Sequence, residues 1–164
     1  MTIRKAVYED INQILAIYAH AREQMRLLGN PDQWGDSNPA VSVVENDIKT
    51  GSSYVMAEDD EIYGVFALVI GTEPTYERIE DGAWLNDAPY ATIHRVAGSG
   101  KQKGIVRHCL SFCESNIPNI RIDTHACNYI MQHLLESSGY QRCGIIYVAD
   151  GSPRIAYQKT VNGL

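Results

Sequence analysis

The sequence predicts an α/β (α+β mixed-sheet) protein, with a central sheet of roughly six to seven strands flanked by about four helices. The chain has 164 residues, of which 45% are hydrophobic and 21% charged, so it is long enough for one domain with its own core. Strand-like and helical segments alternate in its second half, which is typical of a parallel strand pair. Paired β-rich runs around polar turns indicate antiparallel hairpins as well. We therefore expect a single domain over residues 1–164.

The first half divides into one strand, two helices and a hairpin. Apolar residues from Ile11 to Leu28 recur at helical spacing, and Gly29 marks the stop. A cluster of Asn, Asp, Gly and Pro predicts a loop over 30–39. The predicted elements are a strand over 2–7, helices over 11–28 and 41–50, and hairpin strands over 53–57 and 62–70.

The second half begins with a long connection over 71–89, which is of a length usually associated with function or mobility. Strand and helix patterns then alternate, and the chain closes on a hairpin around an Asp-Gly turn. The predicted elements are strands over 90–97 and 119–125, helices over 103–114 and 128–138, and hairpin strands over 140–148 and 154–159.

Charge and composition exclude several classes of function. Fourteen Lys and Arg against 20 Asp and Glu give a formal charge of −6, which argues against nucleic acid as a partner. No apolar run approaches the roughly 20 residues that span a bilayer, and no secretion signal follows the N-terminus, so we expect a cytoplasmic protein with no membrane partner. The four cysteines form no CxxC pair, so we expect free thiols and no metal site.

The segment 93–108 is the most informative stretch. A predicted strand runs into a glycine-rich turn that opens a helix, and the free amides of such a turn favour an anion. Lys101, Lys103 and Arg107 place three positive charges within seven residues, which suggests a phosphate or pyrophosphate. A Walker A loop is excluded because Arg95 and Gln102 occupy its Gly and Ser/Thr positions. The alternative is an ordinary strand-to-helix turn with a solvated basic face.

With this turn in place, the chain resembles the GNAT N-acetyltransferase superfamily over nearly its whole length. The resemblance rests on the order of elements, the turn over 101–106, and a downstream helix that starts at Asn128 and is followed by Gly139 and Tyr140. Residues 93–97, 121–125 and 143–146 further resemble a bacterial branch of GNAT-like proteins. The family turn reads Q/R-x-x-G-x-G/A, and this chain departs from it at Lys101 and Val106.

The resemblance implies a GNAT-like acyl-CoA N-acyltransferase fold with acetyl-CoA (coenzyme A) as co-substrate and no metal. In such proteins the turn amides hold the pyrophosphate, and the preceding strand end holds the pantetheine arm and polarises the thioester. Asn128 is expected to cap its helix and to contact the cofactor arm. The cofactor-binding residues that the resemblance implies are Val96, Ala97, Gly98, Lys101, Gln102, Lys103, Gly104, Ile105, Val106 and Asn128.

Acetyl transfer also needs a base, because a lysine-type amine is mostly protonated at neutral pH. His94 and His125 carry side chains suited to that role, and Asp123 shares a strand face with His125. Each of these residues has a purely structural alternative, as a hydrogen-bonded or ion-paired strand residue. Many family members protonate the leaving thiolate with a tyrosine where this chain has Leu135, so Tyr140 is a replacement candidate, with Tyr90 or solvent as alternatives.

The acceptor is expected in a cleft under the loops 29–40 and 71–89, where Trp34, Glu77 and Trp84 are candidate substrate-binding residues. Both tryptophans could equally close the edge of the core. Acidic residues in these loops favour a cationic small-molecule or peptide amine: Asp32, Asp36, Glu77, Glu80 and Asp81.

The leading interpretation is an acetyl-CoA-dependent N-acetyltransferase. A catalytically silent acyl-CoA-binding module is the alternative, motivated by Leu135. A nucleotide-binding regulatory protein is a third interpretation, and a homodimer is compatible with the sequence.

Overall fold

In the computed structural model, which describes residues 1–161, seven strands form one mixed sheet in the order β1-β2-β3-β4-β5-β7-β6. The strands are β1 (Thr2–Lys5), β2 (Ser53–Glu58), β3 (Glu61–Ile70), β4 (Ala91–Gly98), β5 (Asn119–Thr124), β6 (Gln141–Tyr147) and β7 (Pro153–Thr160). The helices are α1 (Ile11–Leu27), α2 (Val41–Lys49), α3 (Ile105–Asn116) and α4 (Tyr129–Ser137), with short 3₁₀ turns at Tyr8–Asp10 and Pro74–Tyr76.

The predicted order of elements and the parallel pair are both confirmed. β4 and β5 are parallel, and every other neighbouring pair in the sheet is antiparallel. The helix predicted from residue 103 begins instead at Ile105, because Gly104 has φ 78° and turns the chain in the left-handed region that glycine adopts readily.

Two apolar clusters lie on opposite faces of the sheet. Val55 packs with Ile14, Ile17 and Val44 beneath α1 and α2. Met56, its neighbour in β2, faces the other cluster beneath α3 and α4, as the alternation of side chains along a strand requires. The sheet is therefore covered on both sides, which leaves its strand ends as the place for a site.

β4 and β5 separate soon after they pair. Their ladder covers only Ala91 with Ile120 and Thr92 with Arg121. From residue 93 onward, the edge of β4 that faces β5 has no strand partner among residues 1–161. The sheet consequently opens into a wedge at this end.

The long connection between β3 and β4 is packed against the strand ends. Tyr76 is fully buried, and Trp84 Nε1 donates to its carbonyl oxygen at 2.9 Å. The Arg121 guanidinium lies 4.2 Å from the ring centroid of Trp84 and 3.9 Å from that of Tyr90, a cation–π arrangement. An ordered connection of this kind can position side chains at the wedge.

No helix among residues 1–161 combines the length and the apolar character needed to cross a membrane. Within the same residues, Cys109, Cys113 and Cys143 are buried free thiols and Cys127 is partly exposed. No group of three or more metal-ligating side chains occurs in this part of the chain.

Candidate active site

Two adjoining cavities open where β4 and β5 separate. The first has a volume of about 670 Å³ and the second about 410 Å³. Met25, Val96 and Asn128 line both, so the cavities meet near the C-terminal end of β4. This arrangement allows two different molecules to approach one point of the backbone from opposite sides.

The first cavity runs from the end of β4 over the glycine-rich turn to α3. Its walls are largely apolar and include Ala21, Met25 and Leu28 of the α1 region and Leu134 of α4. The implied cofactor-binding residues that line it are Val96, Ala97, Gly98, Gln102, Gly104, Ile105, Val106 and Asn128.

The start of α3 supplies an anion site inside this cavity. No acceptor within residues 1–161 takes a hydrogen bond from the amides of Ile105, Val106 or Arg107, and the first intrahelical bond runs from His108 to Gly104. Free amides and the helix dipole together favour a negative charge there. Val106, where the family has Gly or Ala, does not close the turn.

The positive charge in this cavity comes from Arg107. The two lysines of the turn lie outside its lining. Lys101 is exposed and forms an ion pair with Glu61, and Lys103 is also exposed. Of the three basic residues in the motif, only Arg107 therefore lines this cavity.

A strained backbone turn in β4 lies at the junction of the cavities. Arg95 has φ 54°, opposite a register shift in β3 between Val65 and Ala67. The Arg95 guanidinium donates two 2.8 Å hydrogen bonds to Asp47 of α2, and the Tyr18 hydroxyl donates to the Arg95 carbonyl at 2.9 Å. A non-glycine residue in this region costs about 1–3 kcal/mol and persists only where its surroundings hold it.

The second cavity contains a histidine–carboxylate pair. His94 Nε2 lies 3.1 Å from Glu73 Oε2, and both side chains are about one-fifth exposed. The hydrogen bond from His94 lowers the pKa of Glu73 to about 2, and Thr75 contributes in the same direction. The Glu73 amide donates to the Tyr90 hydroxyl at 2.8 Å, which fixes the start of the connection. Glu73 therefore remains a carboxylate and orients the imidazole.

Asp123 of β5 lies in the wall of the same cavity. It accepts a 2.6 Å hydrogen bond from the buried Tyr76 hydroxyl. Burial raises the pKa of Asp123, and burial also raises the pKa of Tyr76 well above its ordinary value.

The other two catalytic candidates line neither cavity. His125 Nδ1 accepts a 3.0 Å hydrogen bond from the Cys127 amide, and burial lowers its pKa. Tyr140 is only 3% exposed within the core, where burial raises its pKa. Leu135 is fully buried beside it. The structure thus places His94 and Asp123 in the wall of one cavity and leaves His125 and Tyr140 outside both cavities.

Of the three substrate-binding candidates, Trp34 lines the second cavity and packs edge-on against Tyr18. Trp84 packs against Tyr76, and Glu77 is exposed outside the lining. The loop acids expected around the acceptor also lie outside it. The carboxylates that line the cavity are those of Glu73, Asp123 and Asp150.

Asn128 caps α4 as predicted and also faces both cavities. Its Oδ1 accepts from the Met131 amide at 3.1 Å, and its Nδ2 donates to Gln33 Oε1 at 3.0 Å. Asn30 donates to the same Gln33 oxygen at 2.8 Å. The loop after α1 is thereby tied to the start of α4.

Comparison with solved structures identifies proteins that share this fold. An acetyltransferase of the GNAT family from Streptococcus agalactiae 2603 is 34% identical, with a TM-score of 0.87, over 97% of this chain and 94% of its own. A GNAT-family acetyltransferase from Listeria monocytogenes 4b F2365 is 21% identical, with a TM-score of 0.72, over 98% and 94%. The NatB acetyltransferase complex bound to CoA and MES is 14% identical, with a TM-score of 0.64, over 98% and 99%. At 21% and 14% identity, the Listeria and NatB structures show only that the fold is shared.

No family model matches the sequence, and no curated protein matches it. The fold and its structural neighbours place this chain in the class of acetyltransferases. At 34% identity over nearly its whole length, the chain belongs to the GNAT family within that class.

Proposed function

We propose that this protein transfers an acetyl group from acetyl-CoA to the primary amine of a small molecule or peptide. The observation that carries the proposal is the pair of cavities that meet at Val96 in the wedge between β4 and β5. One cavity has the free amides and apolar walls that suit a diphosphate with a long apolar arm. The other has a candidate base.

The residues of the first cavity fit coenzyme A, the molecule bound in the NatB structure. The amides of Ile105, Val106 and Arg107 would donate to the pyrophosphate, with the Arg107 side chain adding charge-assisted contacts. The apolar wall formed by Met25, Leu28 and Leu134 would pack along the pantetheine arm. When bound, acetyl-CoA supplies an acetyl group activated as a thioester.

The exposed edge of β4 would polarise the thioester carbonyl. Because β5 diverges after Thr92, amides of residues 93–98 on that side have no partner strand. An amide at Val96 lies at the junction of the cavities and would donate to the carbonyl oxygen, in the manner of an oxyanion hole. The turn at Arg95, held by Asp47 and Tyr18, fixes the direction of that amide.

His94 would take the proton from the acceptor's ammonium group. It lies two residues from Val96 on the same strand and lines the second cavity. Glu73 holds the ring through Nε2, which leaves the other ring nitrogen to act on substrate or on a water molecule. Glu73 is therefore a positioning residue, and His94 is the proposed base.

The leaving thiolate would take its proton from solvent, and solvent would receive the second proton that the amine nitrogen loses as the C–N bond forms and the C–S bond breaks. Leu135 offers no hydroxyl, and Tyr140 is enclosed in the core. An ordinary thiol has a pKa of about 8.5 against about 10.4 for a lysine-type amine, so the thiolate is the weaker base and can leave unprotonated.

The alternative function is a catalytically silent acyl-CoA-binding module. It is motivated by Leu135, which stands where many family members have a tyrosine. Release of free thiol from acetyl-CoA across a panel of primary amines separates the two functions. We expect amine-dependent release, with His94→Gln lowering kcat by about 100-fold or more and leaving the CoA affinity unchanged. The matched control is His133→Gln, which alters an exposed histidine on α4. CoA binding without release on any amine would contradict the enzymatic function and support the module.

A further inference from the structure

We propose that the acceptor amine also carries a carboxylate, and that Arg154 at the start of β7 binds it. The inference rests on the proposed acetyl transfer for the identity of the second cavity as an acceptor site. It narrows the acceptor from amines in general to amines with an acidic group within the same small molecule.

Most charged groups that line the second cavity are paired with another group of the protein. Glu73 is paired with His94, Arg95 with Asp47, and Asp123 accepts from Tyr76. Asp150 accepts two hydrogen bonds from Ser152, from its amide and its hydroxyl. Each of these charged groups already has a partner within the protein.

Arg154 differs from these groups because it forms no ion pair with a carboxylate of the described residues. It is only 6% exposed and lines the cavity, yet no carboxylate of residues 1–161 forms an ion pair with it. Its Nη1 donates to the Pro153 carbonyl at 2.9 Å and its Nη2 to the Gln33 carbonyl at 3.0 Å. Two of the five N–H donors of a guanidinium are thus used.

Those two bonds orient the group without neutralising it. The Arg154 charge acts to lower the pKa of both Asp123 and Asp150, but neither carboxylate is close enough to form an ion pair with the guanidinium. A buried guanidinium whose neighbouring carboxylates leave its N–H donors unfilled can take a further anion from a ligand. The guanidinium is rigid and planar, and its remaining donors can form a fork that matches a carboxylate. Arg154 is therefore preorganised for an anion that enters through the cavity.

The surroundings favour a carboxylate over a phosphate. Asp123 and Asp150 line the same cavity, and their negative field penalises a dianion more than a monoanion. The sheet order also places His94 on β4, Asp123 on β5 and Arg154 on β7, in that sequence across the wedge. An acceptor lying across the strand ends would present its amine to His94 and its carboxylate to Arg154.

The test compares matched pairs of amines with and without the acid. The probes are the proteinogenic L-amino acids, β-alanine and γ-aminobutyrate, each against its own carboxamide, with phosphoethanolamine against ethanolamine as the phosphate arm. Thiol release from acetyl-CoA gives kcat and KM, and calorimetry with saturating CoA gives binding independently of turnover. The variants are Arg154→Gln and, as a matched control, Arg142→Gln on the exposed edge strand β6.

We expect at least one amino acid to exceed its carboxamide by about 10- to 100-fold in kcat/KM, the value of one charge-assisted hydrogen-bond pair. Arg154→Gln should abolish that preference chiefly through KM, while Arg142→Gln retains it. If Arg154→Gln fails to fold, the acid–carboxamide comparison in the wild-type protein decides alone.

Equal use of acids and carboxamides would overturn the inference, as would an unchanged preference in folded Arg154→Gln. A preference for phosphoethanolamine over every carboxylate would overturn the choice of anion. If no amine is acetylated, the proposed function fails, but calorimetry still decides the inference. Binding of acids over carboxamides upholds the anion site, and equal binding rejects it.

Discussion

At the scale of single residues, Asp123 places a carboxylate in the wall of the second cavity, at a position where burial disfavours its charge. The pKa of Asp123 is raised by burial, while the hydrogen bond from Tyr76 acts in the opposite direction. A raised folded-state pKa means that ionised Asp123 destabilises the fold at neutral pH. The position of Asp123 in the cavity wall is therefore unfavourable for stability, which is consistent with its proposed place in the site.

Asp123→Asn is therefore expected to stabilise the protein by about 1 kcal/mol at pH 7–8, since the amide keeps an acceptor for Tyr76 and removes a charge that partial burial disfavours. The gain should shrink as the pH falls through the raised pKa, because wild-type Asp123 then takes up a proton and becomes neutral as well. Thermal melts of both proteins from pH 4 to 8 measure this. A loss of stability that is equal at all pH values would contradict it.

The sequence identifies some of these residues and misses others for a physical reason. The location of His94 and Asp123 in the cavity wall was predictable because they lie on strands that run into the wedge, and their catalytic role stays a prediction. Glu73 and Tyr76 lie in the connection between β3 and β4, where no periodic pattern indicates which side chains turn inward. Their places depend on contacts with Asp123, Tyr90 and His94 that are distant in sequence.

At the scale of elements, the turn in β4 is held from outside the strand. Asp47 on α2 binds Arg95 through both carboxylate oxygens. The side chain of Asp47 is 9% exposed and that of Arg95 22%, so the ion pair is mostly shielded from solvent. α2 thus reaches across one face of the sheet to fix the backbone at the junction of the cavities.

Asp47→Asn is expected to destabilise the protein by about 2 kcal/mol, because the Arg95 charge loses its partner. That corresponds to a fall of about 4–8 °C in Tm for a chain of this length. Acetyl transfer should also slow, since the Val96 amide is no longer held in direction. The control is Glu45→Gln, an exposed acid on the same helix. An unchanged Tm in Asp47→Asn would show that the turn needs no such support.

The order of elements was predictable because local spacing carries it. Period 3.6 in α1 and the β-rich runs of β2 and β3 are properties of neighbouring residues. The left-handed turn at Arg95 was not predictable, because glycine is the residue that signals such a conformation and arginine here adopts it through contacts with Asp47 and Tyr18.

At the scale of the whole molecule, the proposed function requires a protein of net charge −6 to bind a highly anionic cofactor. The helix amides and Arg107 at one end of the wedge would attract that cofactor locally, because the overall field of the protein opposes it. Under the same proposal, the acceptor would enter by the other cavity and meet the cofactor at Val96 of β4.

Calorimetric titration of acetyl-CoA into the wild-type protein tests this account most directly. We expect one molecule to bind per chain, Arg107→Gln to weaken the affinity by about tenfold, and Arg142→Gln to leave it unchanged. The absence of binding heat, together with an unchanged melting temperature in excess acetyl-CoA, would contradict the account.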